Sequence, residues 1–360
     1  MDGKSYYNPF PGHNLAWNRM MAEIPPSSQQ DYKSYHLDGS IQGYFDVGQH
    51  EWNWDVGFNY NRADGVTRGT GQWNLVALKN GLGPSFLNSN GVVQCGTPGA
   101  PIVLGTSLSL GQCTPVNILG GQGTFSPQEL AYILAPSTSI FGSTDRSYTL
   151  DINGGLLDLP AGELGFAAGA ESRNLSGYNY PDSFQQAGLS SGNAANSTTG
   201  NYQVNSAYVE VNAPLLKDLP GIKSLSIDFA SRYSRYNNFG STTDNKYSFK
   251  WKPIDDLLVR GTYGEGFRAP TLSDLFGGGG QGYDHYLDPC DSVYGPVTTN
   301  STVAAKCAAQ GVPTNFRQRD RQGLPITSVG ATQSPTPSYI GAGNASLKPE
   351  TAITRTLGLV

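Results

Sequence analysis

The stretch Trp52-Asn53-Trp54-Asp55-Val56-Gly57-Phe58-Asn59-Tyr60 decides the fold class. Its apolar residues fall on even numbers and its polar residues and glycine on odd ones. Only an extended strand turns that period of two into one apolar and one wet face. The residues before it carry the same pattern, with Tyr35, Leu37, Ile41 and Phe45 alternating with His36, Asp38, Ser40 and Gln42. A short turn from Val47 to His50 joins the two runs into an antiparallel hairpin.

Outward from this hairpin the pattern recurs. Tyr148, Leu150 and Ile152 form one run; Leu164, Phe166, Ala168 and Ala170 form the next, with Glu171 and Arg173 on the opposite face. A run from Tyr202 to Leu215 is followed by Leu225, Ile227, Phe229 and Tyr233, whose other face carries Asp228 and Arg232. Tyr247, Phe249 and Trp251 alternate with Lys246, Ser248, Lys250 and Lys252; Leu257, Val259 and Tyr263 come next, and a ninth strand begins near Thr351. Short turns are expected around 156–162, 217–222 and 253–256, with a tight connection near Gly240. Long stretches fill about 67–140, 177–200 and 269–346. Sorting short turns to one end and long loops to the other is the habit of an up-and-down outer-membrane barrel. Soluble sandwiches also alternate, but nothing sorts their loops this way. Trp52, Tyr60, Tyr233, Trp251 and Tyr263 sit near strand ends on the apolar side, where interfacial girdles belong. We therefore expect nine strands of an all-β antiparallel transmembrane barrel, with Trp52, Trp54, Phe58, Phe249 and Trp251 sharing the outer face.

Composition agrees. Among 360 residues there are 46 Gly and 20 Tyr with only 14% charged residues, a strand-and-turn composition. A net charge of −5 offers no basic face for phosphates, which excludes nucleic acid as a partner. The mean hydropathy of −0.36 and the lack of a long apolar run rule out a spanning helix but not a barrel, whose strands alternate.

The four cysteines form two local couples, Cys95 with Cys113 and Cys290 with Cys307, each in a stretch rich in Gly, Pro, Ser and Thr. They read as disulfide staples of an oxidising compartment, since zinc would want Cys-x-x-Cys or nearby histidines. One helix is expected, from the Ser126 cap and Pro127 through Leu134, packing a long loop. Gly277–Gly280 lacks the Lys-Ser/Thr of a phosphate loop and reads as a loop hinge. Asp284, His285 and Asp288 are the best metal candidates and too few; no metal or cofactor is expected. No Gly-x-Ser-x-Gly elbow supports a lipase.

Two further stretches carry a family resemblance: YGEGFRAPTLSDLF at 263–276, with Gly264, Glu265, Gly266, Phe267, Arg268, Ala269 and Pro270, and NASLKPETA at 344–352, with Leu347, Lys348, Pro349, Glu350 and Thr351. In that order they resemble late-barrel signatures of TonB-dependent receptors. The Asp288-Pro289-Cys290 start and Cys307 of the intervening loop fit as well, and the resemblance covers essentially the whole chain. We expect these residues to specify fold rather than touch substrate. Gly264 and Gly266 would let a bent strand end approach its neighbour, while Glu265 and Arg268 bond across the rim.

The resemblance implies a 22-stranded barrel with a plug, in the outer membrane of a Gram-negative bacterium. It also implies import of a scarce ligand (iron chelate, cobalamin, oligosaccharide or peptide) driven by TonB and its inner-membrane proton-powered motor, not catalysis. No leader, TonB box or plug is legible before Met1, and Val360 interrupts a strand. Residues 1–360 are thus expected to be a barrel segment of a longer receptor. A passive porin and a surface adhesin are the competing readings. Mass mapping of non-reduced peptides from envelope-derived protein is expected to recover Cys95 linked to Cys113 and Cys290 to Cys307; crossed pairs or free thiols would contradict the staples.

Overall fold

The computed structural model describes residues 1–17, 19, 23–282, 286–319, 323–329 and 339–360. Nine long strands dominate it: β1 (Ser27–Val47), β2 (His50–Trp73), β3 (Leu134–Leu159), β4 (Gly162–Pro181), β5 (Thr198–Leu219), β6 (Ile222–Tyr236), β7 (Gly240–Ile254), β8 (Leu257–Arg268) and β9 (Glu350–Leu359). Each pairs antiparallel with its sequence neighbours in one sheet, with β1 and β9 at its two edges. This is the expected up-and-down order.

Every expected short turn is present, with Val47 opposite His50 as the sequence suggested, Leu159 opposite Gly162 and Leu219 opposite Ile222 tighter than expected, and Ile254 opposite Leu257 one residue further on. The link at Gly240 is likewise a reversal, pairing Gly240 with Tyr236. Strands run further toward the long-loop end than alternation shows. β2 has 24 residues and β3 has 26, where about 9–11 suffice to cross a bilayer. Beyond Tyr60 both faces of β2 turn polar, so hydrophobic period no longer marks the strand even though pairing continues.

Pairing carries one hydrogen-bond row across the sheet through Phe45, Trp52, Gly154, Phe166, Val211, Phe229, Tyr247, Tyr263 and Arg355. Every second residue along each strand shares this face, so Trp52, Trp54, Phe58, Phe249 and Trp251 lie on one side, as expected. The face is apolar yet uncovered: Leu150 is 51% exposed, Val56 45% and Ile227 44%. Apart from Ala135, Tyr202 and Val204, the buried hydrophobic residues described all lie in the connections. A sandwich would bury this face, whereas a barrel wall gives it to lipid.

The margin of the belt measures the strand tilt. Above the apolar stretch the first outward charge is Arg62 on β2, Arg146 on β3, Arg235 on β6 and Arg355 on β9, sinking toward the common row from one to the next. It falls about ten residues over seven strands. At about 3.3 Å per residue and about 4.8 Å between strands, that inclines the strands by roughly 45°, at the upper end of the range for outer-membrane barrels. Trp52 and Trp251 lie at the short-turn margin, donating indole N–H to Gly155 O at 2.8 Å and Gly221 O at 3.2 Å. Tyr60, Tyr233 and Tyr263 lie at the opposite margin, completing both girdles.

The expected helix is present as Pro127–Ile133, with a full capping box between Ser126 and Glu129. It has more company than one helix: Leu75–Gly81, Ser183–Gln186, Leu272–Phe276 and Ser301–Ala309 are also helical among the described residues. None of the described helices is long and apolar enough to cross a membrane. A charge placed on the belt should test the assignment of faces. Val56→Arg is expected to cost about 2–4 kcal/mol in denaturant unfolding from lipid vesicles. Asn53→Arg, one pleat away and facing inward near Glu51 and Asp55, is expected to cost under about 1 kcal/mol by the same measurement.

Candidate functional site

The inward face is polar because each strand's odd or even set of hydrophilic residues points there, and several of its charges on β3 to β7 are paired laterally across strands. On β4, Arg173 Nε donates to Asp145 Oδ1 of β3 at 2.9 Å, and Arg232 of β6 forms an ion pair with Glu171. Tyr208 donates its hydroxyl to Asp151 Oδ1 at 2.6 Å, and Ser248 to Asp228 Oδ2 at 2.9 Å. Asn59 donates to Asp38 across the first hairpin. Such a surface is wet. It offers hydrogen bonds to a ligand or to a protein filling the lumen, and it contains no nucleophile–base pair poised for chemistry.

At the long-loop end the two signature segments meet, although some eighty residues of sequence separate them. Arg268 pairs with Glu350, Phe267 with Thr351 and Gly266 with Ala352, so the end of β8 and the start of β9 form one ladder. Arg268 also lies 3.7 Å from both Asp274 and Glu350 as an ion pair. Asp274 closes the capping box of helix Leu272–Phe276. The Thr271 backbone N–H, with the Thr271 side chain and Arg268, holds its carboxyl below the usual carboxylate range. Glu265 instead bonds Asn245, so Glu265 and Arg268 brace different neighbours. Pro270, Leu347 and Lys348 line a notch between the segments, with Ala269 directly after β8 and Pro349 directly before β9.

Two expectations about glycine need correction. A Cβ on Gly264 or Gly266 would meet nothing within 4 Å, so no close approach requires glycine there. Gly277–Gly280 is no hinge. Its backbone is wedged between loops, with Gly278 N–H donating to Thr198 Oγ1 at 3.0 Å, Gly343 N–H to Gly277 O at 2.8 Å and Asn196 N–H to Gly279 O at 2.8 Å. A Cβ on Gly278 would collide with the Ser197 carbonyl. Beside this wedge opens a cleft of about 600 Å³, lined by Asn179, Asn196, Thr198, Ser273, Asp274 and Asn344 together with the glycines. Leu272 and Phe276 rest on Gly177 of β4 and Gly200 of β5, which folds this loop inward over the mouth.

Both staples form, Cys95 with Cys113 and Cys290 with Cys307, at Cα separations of 6.1 and 5.8 Å. The first sits inside a small core of Ala77, Leu78, Val116, Ile118, Tyr132 and Ile133. Residues 1–17 dock on the same loop, with Asp2 N–H bonded to Leu82 O and Ser85 N–H to Lys4 O. The second staple flanks a feature with no sequence signal, the fully buried Asp291. Its carboxylate accepts from the N–H groups of Val293, Tyr294 and Gln318 and from Arg317 Nε. Burial alone would raise its pKa; those donors outweigh it and hold the carboxyl below the usual range. Only an Asx turn after Cys290 was foreseeable, since two of the donors arrive from 26 and 27 residues away.

Asp284 and His285, the suggested metal ligands, lie outside the described residues; among those described, no group of three His, Cys, Asp or Glu is placed to hold a metal. An open antiparallel sheet with an uncovered apolar belt, girdles at both margins, a wet inner face and stapled loops at one end defines the wall of an outer-membrane β-barrel. The chain belongs to the TonB dependent receptor-like β-barrel family, whose pattern matches residues 2–360, a family of receptors and transporters rather than enzymes. Among solved structures, the siderophore receptor PirA from Acinetobacter baumannii is similar over 95% of this chain and 51% of that one, at 12% identity and a TM-score of 0.32. The chain thus spans about half the length of that protein. No curated protein matches the sequence.

Removing the Asp291 carboxylate strands four donors, the Gln318 N–H buried and the other three half-buried. Asp291→Ala is expected to lower the stability of the 288–318 loop by about 3 kcal/mol, seen as faster proteolysis there with the barrel intact. Because the folded carboxyl ionises more readily than a free one, its contribution is complete above the ordinary carboxylate range and fades as pH falls through the folded value. Loop protection in the wild type should therefore drop on acidification below about pH 4, and the Ala variant should lack that dependence.

Proposed function

We propose that residues 1–360 form part of the barrel wall of an active import receptor in the Gram-negative outer membrane. The observation that carries this reading is the sheet's two-sidedness: an uncovered apolar belt outward and a paired polar wall inward, within a family of TonB-dependent receptors. Backbone groups at an open sheet edge in hydrocarbon cost several kcal/mol each. The edges at β1 and β9 therefore call for closing strands from the rest of a larger receptor. A plug in the lumen would meet the polar inner wall and couple through TonB to the inner-membrane motor. The ligand, an iron chelate, cobalamin, oligosaccharide or peptide, would first meet the loops around the 600 Å³ cleft.

Ligand accumulation by cells expressing the full-length receptor separates this reading from a passive pore. Uptake is expected to stop when an uncoupler collapses the proton gradient, whereas uptake that persists would assign a porin. Residues 1–360 expressed alone behind an added signal peptide are expected to accumulate nothing, and uncoupler-sensitive uptake by them would contradict the larger-barrel reading.

A further inference from the structure

The outward face above the tyrosine girdle of β1–β3 gathers three cations around one carboxylate, Asp64. Inward guanidinium groups on β4 and β6 each have a carboxylate, Arg173 with Asp145 and Arg232 with Glu171. Outward, Lys33 and Arg146 make no ion pair among the described residues, and Arg62 shares Asp64 at 2.7 Å with the Tyr178 hydroxyl at 3.1 Å. The next outward carboxylate up, Asp31, is already engaged by Arg68.

Pairing sets the three cations close together. Lys33 is opposite Asp64, Tyr35 opposite Arg62 and Tyr60 opposite Arg146, so Lys33, Arg62 and Arg146 are successive diagonal neighbours on three strands. Such neighbours are about 7–8 Å apart. Immediately below lie Tyr35, Tyr60 and Tyr148, and below those the belt of Leu37, Phe58 and Leu150. Arg235 and Arg355 occupy the same margin further round. A cluster of three cations around the single carboxylate of Asp64, directly above an aromatic girdle, stands where lipid headgroups stand, and its net positive charge is complementary to phosphate.

We propose that Lys33, Arg62 and Arg146 form a docking patch on the outer surface of the wall for the phosphate groups of a glycolipid of the outer leaflet. This rests on the membrane placement proposed above. The girdle tyrosines hold the sugar–acyl boundary, and the long basic side chains reach up from the belt to the phosphates. Arg62, tethered by Asp64, fixes the centre of the patch, and Lys33 and Arg146 close on the ligand from either side.

The test uses the full-length receptor in nonionic detergent, titrated with diphosphorylated lipid A, with its dephosphorylated form and with inorganic phosphate, and read as retained lipid. The phosphorylated lipid is expected to bind on the order of a hundredfold more tightly than the dephosphorylated one. The triple variant Lys33→Gln, Arg62→Gln, Arg146→Gln should lose that preference. Arg146→Gln alone, which removes no intrachain partner, should lose about fivefold and keeps the test decisive if the triple variant does not fold. Equal binding of the two lipids, or an Arg146→Gln affinity within twofold of wild type, would overturn the patch. Displacement of the lipid by millimolar inorganic phosphate would also overturn it, in favour of a free-anion site. Heat-modifiable gel mobility reports insertion separately, so a wild-type receptor that never inserts would fail the membrane placement rather than the patch.

Discussion

Everything in this structure depends on the hydrogen-bond ladder that runs unbroken from β1 to β9. In hydrocarbon no water can satisfy a peptide group, so each strand's N–H and C=O must find a neighbour. Once pairing is fixed, so is side-chain direction. One register places tryptophans at the lower margin, tyrosines at the upper margin and aliphatic residues between, and it sends Asp, Arg, Asn and Ser to the other side. A one-residue slip in any hairpin would put Asn53 and Asp55 in lipid. The bulges recorded near Gly155, Pro214 and Trp251 all lie close to the short turns, where a local irregularity does not carry into the belt.

Above the membrane a different physics takes over. The connections build small cores of their own, tied by covalent cross-links and by caps. The 74–133 loop buries Val116, Tyr132 and Ile133 around one disulfide, and the 269–349 loop organises itself around a buried carboxylate beside the other. Cross-links that close loops of this size restrict the unfolded chain by roughly 3 kcal/mol in the chain-entropy account. The described parts of these loops therefore hold defined shapes, the second also propped on β4 and β5 through Leu272 and Phe276.

How much of this the sequence discloses depends on whether the relevant constraint is local. The hairpin at 35–60 and the belt it begins are legible because lipid on one side and water on the other impose a strict period of two. The upward extensions of β2 and β3 are hidden, since water bathes both faces there and alternation disappears while pairing persists. The capping box at Ser126 is legible because its partners are three residues apart. Asp291 is silent because its donors are brought together only by the folded loop. Gly277–Gly280 shows the limit of composition: the same four glycines suit a pivot or a tight backbone crossing, and only the neighbours at Ser197, Thr198 and Gly343 reveal the second. The rim signatures are recognisable as a pair, but their meeting as one ladder is a product of topology.

Strand length is unequal around the wall. β2 and β3 reach 24 and 26 residues, while β8, likewise rooted in a short turn, has only 12. The long-loop edge of this wall is therefore cut on a slant, high at β2 and β3 and low at β8. The large loop rooted on the low flank leans across the opening toward β4 and β5. Anything approaching this edge therefore meets a windbreak on one side and an awning on the other, and its approach is directional before any specific contact is made.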